Sequence, residues 1–135
     1  MSSECSTIPP PSKKRRLAVC ALIIQDTKIL AVSRRGESSS WGLPGGKVEK
    51  DEAPITALIR EVREETGILL EKDHLEPCFT RIDDDFLVIT YMYYGSITST
   101  PVQGDAGPVA WVTWNDLLAG PFGKYNAKLK EALQL

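Results

Sequence analysis

Residues 54 to 66, PITALIREVREET, carry the sharpest periodicity in the chain. Ile55, Leu58, Ile59 and Val62 recur at three- and four-residue steps, the spacing that gathers apolar side chains on one side of an α-helix. Pro54 suits the first turn, where its missing N–H costs nothing, and Gly67 suits the stop. On either side of this helix the sequence reads as strand. LAVCALII (17–24) is a near-continuous apolar run with β-branched content, the pattern of a strand buried on both faces. KILAVS (28–33) follows a turn at Asp26-Thr27, so these two runs are expected to form a central hairpin. Downstream, CFTRI (78–82), FLVITYMYYGSI (86–97) and VAWVT (109–113) read as three more strands, with Asp83-Asp84-Asp85 as a hairpin connection. WNDLLA supplies a short helix, and NAKLKEALQL a terminal amphipathic one with Leu129, Ala132 and Leu133 on one side.

The 135 residues fit one domain. Residues 1–15 are Ser- and Pro-rich and then basic, and are expected to form a flexible tail, with the folded domain spanning 16–135. The formal net charge of −2 conceals an asymmetry, because four of the 16 basic residues sit in the run Lys13, Lys14, Arg15, Arg16. Residues 17–135 hold 12 Lys plus Arg against 17 Asp plus Glu, a balance of −5 that argues against an extended nucleic-acid face. An acidic body that meets an anionic substrate needs metal ions or a local basic cluster. Cys5, Cys20 and Cys78 are odd in number and widely spaced, which suggests neither a disulfide framework nor a zinc site. No run approaches the length of a membrane span, so the expected setting is cytoplasmic; Lys13 to Arg16 read first as a solubility feature, with nuclear import or a phosphate-binding arm as alternatives.

The helix also carries Glu61, Glu64 and Glu65, which at about 100° per residue fall on one face. Like charges at these spacings repel by roughly 0.2 to 0.5 kcal/mol per pair, and acids in the last turn face the negative end of the helix dipole. A bound divalent cation reverses both effects, since Mg²⁺ prefers hard oxygen ligands. Taken alone, ExxEE is a weak signal and is more often a solvated acidic face, here partly paired with Arg60 and Arg63.

The frame around it decides. From Gly46 the sequence runs five residues to Glu52, seven more to Arg60-Glu61-Val62, then one residue, Glu64-Glu65, one residue, and Gly67-Ile68. This resembles the complete box of the Nudix hydrolases of MutT type, with every fixed position occupied. The resemblance implies an α/β fold, an α/β/α sandwich with a mixed β-sheet and a catalytic loop-helix-loop. It also implies Mg²⁺-dependent hydrolysis, with Mn²⁺ as a substitute, of a diphosphate linkage in a nucleoside triphosphate or other nucleoside diphosphate derivative. The implied metal ligands are Glu61, Glu64, Glu65 and the Gly45 carbonyl, with Glu64 or Glu65 as general base. Arg60 is expected to position its neighbouring carboxylate and Glu52 to brace the loop or helix. Asp105 stands six residues before Trp111, where MutT-type proteins carry a glutamate, and is expected to reach a metal from a later loop or to shape a turn.

Arg34, Arg35 and Lys47 are the substrate-binding candidates, suited to phosphate oxygens. Phe86, Tyr91, Tyr93, Tyr94, Trp114 and Phe122 are aromatic enough to stack on a base, but none is assigned that role. The resemblance places Phe122 where MutT-type proteins have a base-contacting asparagine, so oxidised guanine is not the expected preference. Hydrolysis of diphosphoinositol or dinucleoside polyphosphates is the alternative reaction, and an inactive nucleotide- or RNA-end-binding module the alternative class. The expected partner is a nucleotide-like small molecule, not a membrane, and a homodimer is compatible with the sequence.

Overall fold

A computed structural model of the chain describes residues 16–33, 40–104 and 107–135. Eight strands, β1 (Arg16–Leu22), β2 (Ile24–Gln25), β3 (Lys28–Ser33), β4 (Trp41–Gly42), β5 (Gly45–Lys47), β6 (Leu75–Asp83), β7 (Phe86–Tyr93) and β8 (Val109–Val112), form two four-stranded sheets. The first runs β5-β1-β7-β6 and is mixed, since β1 is parallel to β7 and antiparallel to β5. In the second, β3 pairs with β2, β4 and β8. Helices α1 (Pro54–Thr66), α2 (Trp114–Leu118) and α3 (Gly123–Leu133) complete an α/β sandwich.

Alternation along the strands explains the layers. Val19, Ala21 and Leu30 join Ala57, Leu58 and Val62 of α1 in one apolar cluster. Their neighbours Leu22, Ile29 and Ala31 join Leu117 and Leu129 of the C-terminal helices in another. A strand whose odd and even residues are both apolar needs cover on both faces, and the helices supply it.

The expected central hairpin is not what the apolar run 17–24 forms. The chain changes sheet at Ile23, so β1 lies beside β5 and β7, and only the stretch Ile23 to Gln25 bonds to β3. The turn itself is as expected: Asp26 (φ 52°) and Thr27 (φ 65°) are both left-handed, the conformation of a tight two-residue hairpin. The run expected over 78–82 extends to Leu75–Asp83, and it takes Pro77 because β6 lies at a sheet edge with an irregularity between Pro77 and Phe79. The strand expected to reach residue 97 stops at Tyr93. Helix α3 begins three residues before the expected run, at Gly123, and Ala132 is exposed, so the buried side is Tyr125, Asn126 and Leu129. The tail expected over 1–15 lies outside the described residues.

Candidate active site

Helix α1 has the predicted bounds and the predicted stop, with Gly67 left-handed (φ 76°) and its N–H bonded to the Arg63 carbonyl. Its apolar residues Leu58 and Val62 enter the core, and this fixes the roll of the helix so that the glutamates fall around β5. Glu65 is 6% exposed and its Oε1 accepts from the Gly45 N–H at 2.9 Å. Glu61, with 19% of its side chain exposed, lies over Gly46, where a Cβ would run into its carboxylate. Glycine at this position is therefore a condition of the carboxylate's placement. Glu64 is turned further out, with 44% of its side chain exposed.

Arg60 organises the outer rim. Its Nε and Nη2 donate to Glu52 Oε2 and Oε1 at 2.8 and 3.0 Å, a two-bond fork. Its Nη1 donates to Glu64 Oε1 at 3.4 Å and lies 3.8 Å from Glu61. Glu52 Oε1 also accepts from the Glu49 N–H, so the loop leading into α1 is tied to the helix. The Arg60 hydrogen bond holds the Glu52 carboxyl down to about 2, with the Glu49 N–H adding to the effect, and the same pairing raises Arg60. Glu61 moves the other way. Partial burial raises it most, followed by the negative charge of Glu65, against which Arg60 offsets only part. Its carboxylate is crowded by like charge and short of compensation.

That crowding fits a divalent cation. Among the described residues no three acidic, His or Cys side chains converge as a ready-made cage. Mg²⁺ does not need one, since it commonly takes one or two carboxylates and keeps waters for the substrate's phosphates to replace. Glu61, Glu65 and the backbone of β5 supply hard oxygens in one place.

Two cavities meet at β5. An open trough lined by Arg16, Lys47, Glu61 and Glu65 lies on the α1 side. On the other side of Gly45, Gly46 and Lys47 is an apolar cavity of about 310 Å³, walled by Val19, Leu43, Phe86, Val88, Phe122 and Tyr125, with Asp83 and Asn126 as its acidic and amide members. Phe86 joins the two, with the Arg16 guanidinium 5.1 Å and the Lys47 Nζ 5.7 Å from its ring centre.

Of the residues singled out from sequence, the structure brings together Gly45, Lys47, Glu52, Arg60, Glu61, Glu64 and Glu65. Arg34, Arg35 and Asp105 lie outside the described residues. The loop that leads to residue 105 is nonetheless anchored at the end of α1, with the Val102 N–H on the Thr66 carbonyl at 2.8 Å and Gly104 against the Glu64 backbone. Among the aromatic candidates Phe86 and Phe122 line the apolar cavity, whereas Tyr91 and Tyr93 belong to the core. Arg16, the last member of the basic run with a phosphate-binding arm among its readings, lines the trough, whereas Tyr125 and Asn126 line the apolar cavity with nothing local in the sequence to mark them.

The Nudix domain family model matches residues 14–133, nearly the whole chain. A MutT-like protein from Streptomyces ambofaciens is 28% identical over 98% of this chain and 85% of its own length. The CTP pyrophosphohydrolase of Escherichia coli is 49% identical over 53 residues, 37% of this chain and 39% of that protein. Among solved structures, the Escherichia coli ORF135 protein superposes with a TM-score of 0.70 at 28% identity, covering 93% of each chain. A bifunctional NMN adenylyltransferase/ADP ribose pyrophosphatase from Francisella tularensis, complexed with AMP and a manganese ion, gives 0.64 at 26% identity, over 91% of this chain and 43% of that one. The chain belongs to the Nudix family and is a Nudix hydrolase, an enzyme class that acts on nucleoside diphosphate derivatives with the help of divalent metal ions. Among the described residues no helix is long and apolar enough to cross a membrane.

Proposed function

We propose that the chain is a Mg²⁺-dependent nucleoside triphosphate pyrophosphohydrolase, releasing a nucleoside monophosphate and pyrophosphate. The observation that carries this reading is the meeting of an apolar, base-sized cavity and a carboxylate-lined trough on the two sides of β5. A flat heterocycle suits the first, and a phosphate chain crossing Gly45-Gly46-Lys47 arrives at the second. Glu61, Glu64, Glu65 and the Gly45 carbonyl would hold the metal, with Asp105 contributing from its loop. When bound, Mg²⁺ shields the phosphate oxygens, lowers the pKa of the attacking water and stabilises charge on the leaving phosphate.

The chain's own groups do the rest. Arg16 and Lys47, held against Phe86, neutralise phosphate oxygens at the trough, and Arg34 and Arg35 are assigned the same work. Arg60 is a positioning residue, since its fork to Glu52 leaves Nη1 to steady Glu64. Water forms a bond to phosphorus, the bridging P–O bond breaks, pyrophosphate leaves with that electron pair, and the proton of the water passes to Glu64 or Glu65. Diphosphoinositol polyphosphates suit the site less well, because the larger part of the cavity wall is apolar and its charged members, Lys47 and Asp83, are of opposite sign. Product analysis with Mg²⁺ or EDTA across nucleoside triphosphates, dinucleoside polyphosphates and a diphosphoinositol polyphosphate tests the reading. Turnover of the inositol compound with none of any nucleoside triphosphate would overturn it.

Asp105 has its own test within this reading. Asp105→Glu, which restores the longer side chain of the family pattern, is expected to keep or improve turnover, and Asp105→Asn to slow it. Equal kinetics and metal titrations for Asp, Asn and Glu would remove this residue from the site.

A further inference from the structure

Helix α1 is anchored by apolar side chains only as far as Val62, because the residues that complete it, Arg63, Glu64, Glu65 and Thr66, bring none to the core. That last turn carries two of the three carboxylates assigned to the metal. Terminal turns fray unless groups outside the helix meet their carbonyls. Two sets of contacts do so here. At the helix end, Thr66 Oγ1 donates to the Val62 carbonyl at 2.7 Å and accepts from the Ile68 N–H at 3.1 Å. From the loop between β7 and β8, the Val102 N–H donates to the Thr66 carbonyl at 2.8 Å. Two residues on, Gly104 lies so close that a Cβ would collide with the Glu64 carbonyl oxygen and come within 3.0 Å of the Glu65 carbonyl carbon. The φ of Gly104 lies outside the left-handed range, so it is the space, not the backbone conformation, that calls for glycine.

We propose that residues 102–104 splint the last turn of α1, with Gly104 the positioning residue that lets the loop close on Glu64 and Glu65 and so holds their carboxylates ready for the metal. The body of the helix is fixed, since Leu58 and Val62 are fully buried. A side chain at 104 therefore displaces the loop, and the Val102 bond to Thr66 goes with it. The Gly45 N–H still holds the Glu65 carboxylate at one point, but the backbone beneath Glu64 and Glu65 loses its cover. A cation must then order a loosened turn as it binds, at a cost in conformational entropy. By linkage, whatever the seated loop adds to metal affinity, the metal returns to the seating of the loop. The inference rests on Glu64 and Glu65 as proposed metal ligands and deepens that reading.

The test is Mn²⁺ binding to the full chain without substrate, followed by electron paramagnetic resonance, for the parent, Gly104→Ala, Gly120→Ala and Glu65→Gln. Beside it, hydrogen exchange at the Val102 amide of the parent is compared in EDTA and in saturating Mg²⁺. Gly104→Ala is expected to weaken Mn²⁺ binding about tenfold. Gly120→Ala, which sets a Cβ against the Trp41 carbonyl and away from α1, should bind as the parent does. Protection of the Val102 amide should rise about tenfold with Mg²⁺, the reciprocal of the same coupling. If Gly104→Ala fails to fold, the exchange measurement, which needs no variant, decides. Mn²⁺ affinity in Gly104→Ala within about twofold of the parent, an equal loss in Gly120→Ala, or Val102 protection that Mg²⁺ leaves unchanged overturns the inference. If Glu65→Gln weakens Mn²⁺ and Gly104→Ala does not, the splint falls and the metal assignment stands. If Glu65→Gln binds as the parent does, the metal assignment falls and takes the splint with it.

Discussion

The α1 side of β5 and the α3 side are built by opposite means. On the α1 side, charged groups from residues 45 to 65 are held by short-range polar bonds, among them Gly45 N–H to Glu65 and the Arg60 fork to Glu52. On the α3 side, the wall is assembled from β1, β7 and α3, segments that lie far apart in the sequence, and is joined mainly by apolar contact. The first can be read as a spacing of residue types because its chemistry is local. The second comes into being only when the sheet closes, so its members look like ordinary core residues.

Four expected outcomes test that contrast. The largest concerns the α1 side: Glu64→Gln or Glu65→Gln should lower turnover by roughly two or more orders of magnitude while the fold persists. Circular dichroism together with initial rates checks this, and near-normal Mg²⁺-dependent turnover in both variants would refute the assignment. On the α3 side the loss should be one of stability. Leu129→Ala is expected to cost about 2 to 5 kcal/mol in denaturant unfolding, because Leu129 is fully buried. A loss below about 1 kcal/mol would mean that α3 is not held as described.

Metal should also separate the two sides. Millimolar Mg²⁺ or Mn²⁺ is expected to raise the melting temperature, by about 2.7 kcal/mol of added stability at 100 times the dissociation constant. Glu61→Gln should blunt the shift and Leu129→Ala preserve it. An unchanged melting temperature for the parent at millimolar metal would leave the glutamates as a solvated acidic face.

The smallest effect is in acid. The Glu52 carboxyl is held at about 2 in the folded chain, below its ordinary value, so its contribution to stability is complete above that ordinary value and is lost as pH falls towards 2. Glu52→Gln should therefore be less stable than the parent at neutral pH, and the difference should close between about pH 4.5 and pH 2. A difference that stays constant through this window would show that the Arg60 fork adds nothing that depends on the charge of Glu52.

Much of the architecture was legible, and the exceptions have physical causes. Helix α1 was readable to the residue because Pro54, Gly67 and a regular apolar stripe mark its ends and its face. The run 17–24 misled because apolar content says that a strand is buried, not which strands lie beside it. Its continuity hides the change of sheet at Ile23. Glu52 was expected to brace the loop or helix and Arg60 to position its neighbouring carboxylate; that the two pair with each other follows from the loop folding back on the helix. Tyr125 and Asn126 could not be placed by pattern, since their position on the cavity wall is settled only when β1, β7 and α3 close around it.

The strand β5 is three residues long and walls both cavities. On the proposed reading it works as a ruler. The distance from the seated heterocycle to the carboxylates is set by the width of one strand, so the enzyme counts from the nucleoside end and not from the free end of the phosphate chain. Triphosphates, diphosphates and tetraphosphates of one nucleoside would then be cut at the same linkage, each yielding the monophosphate and a leaving group of different length.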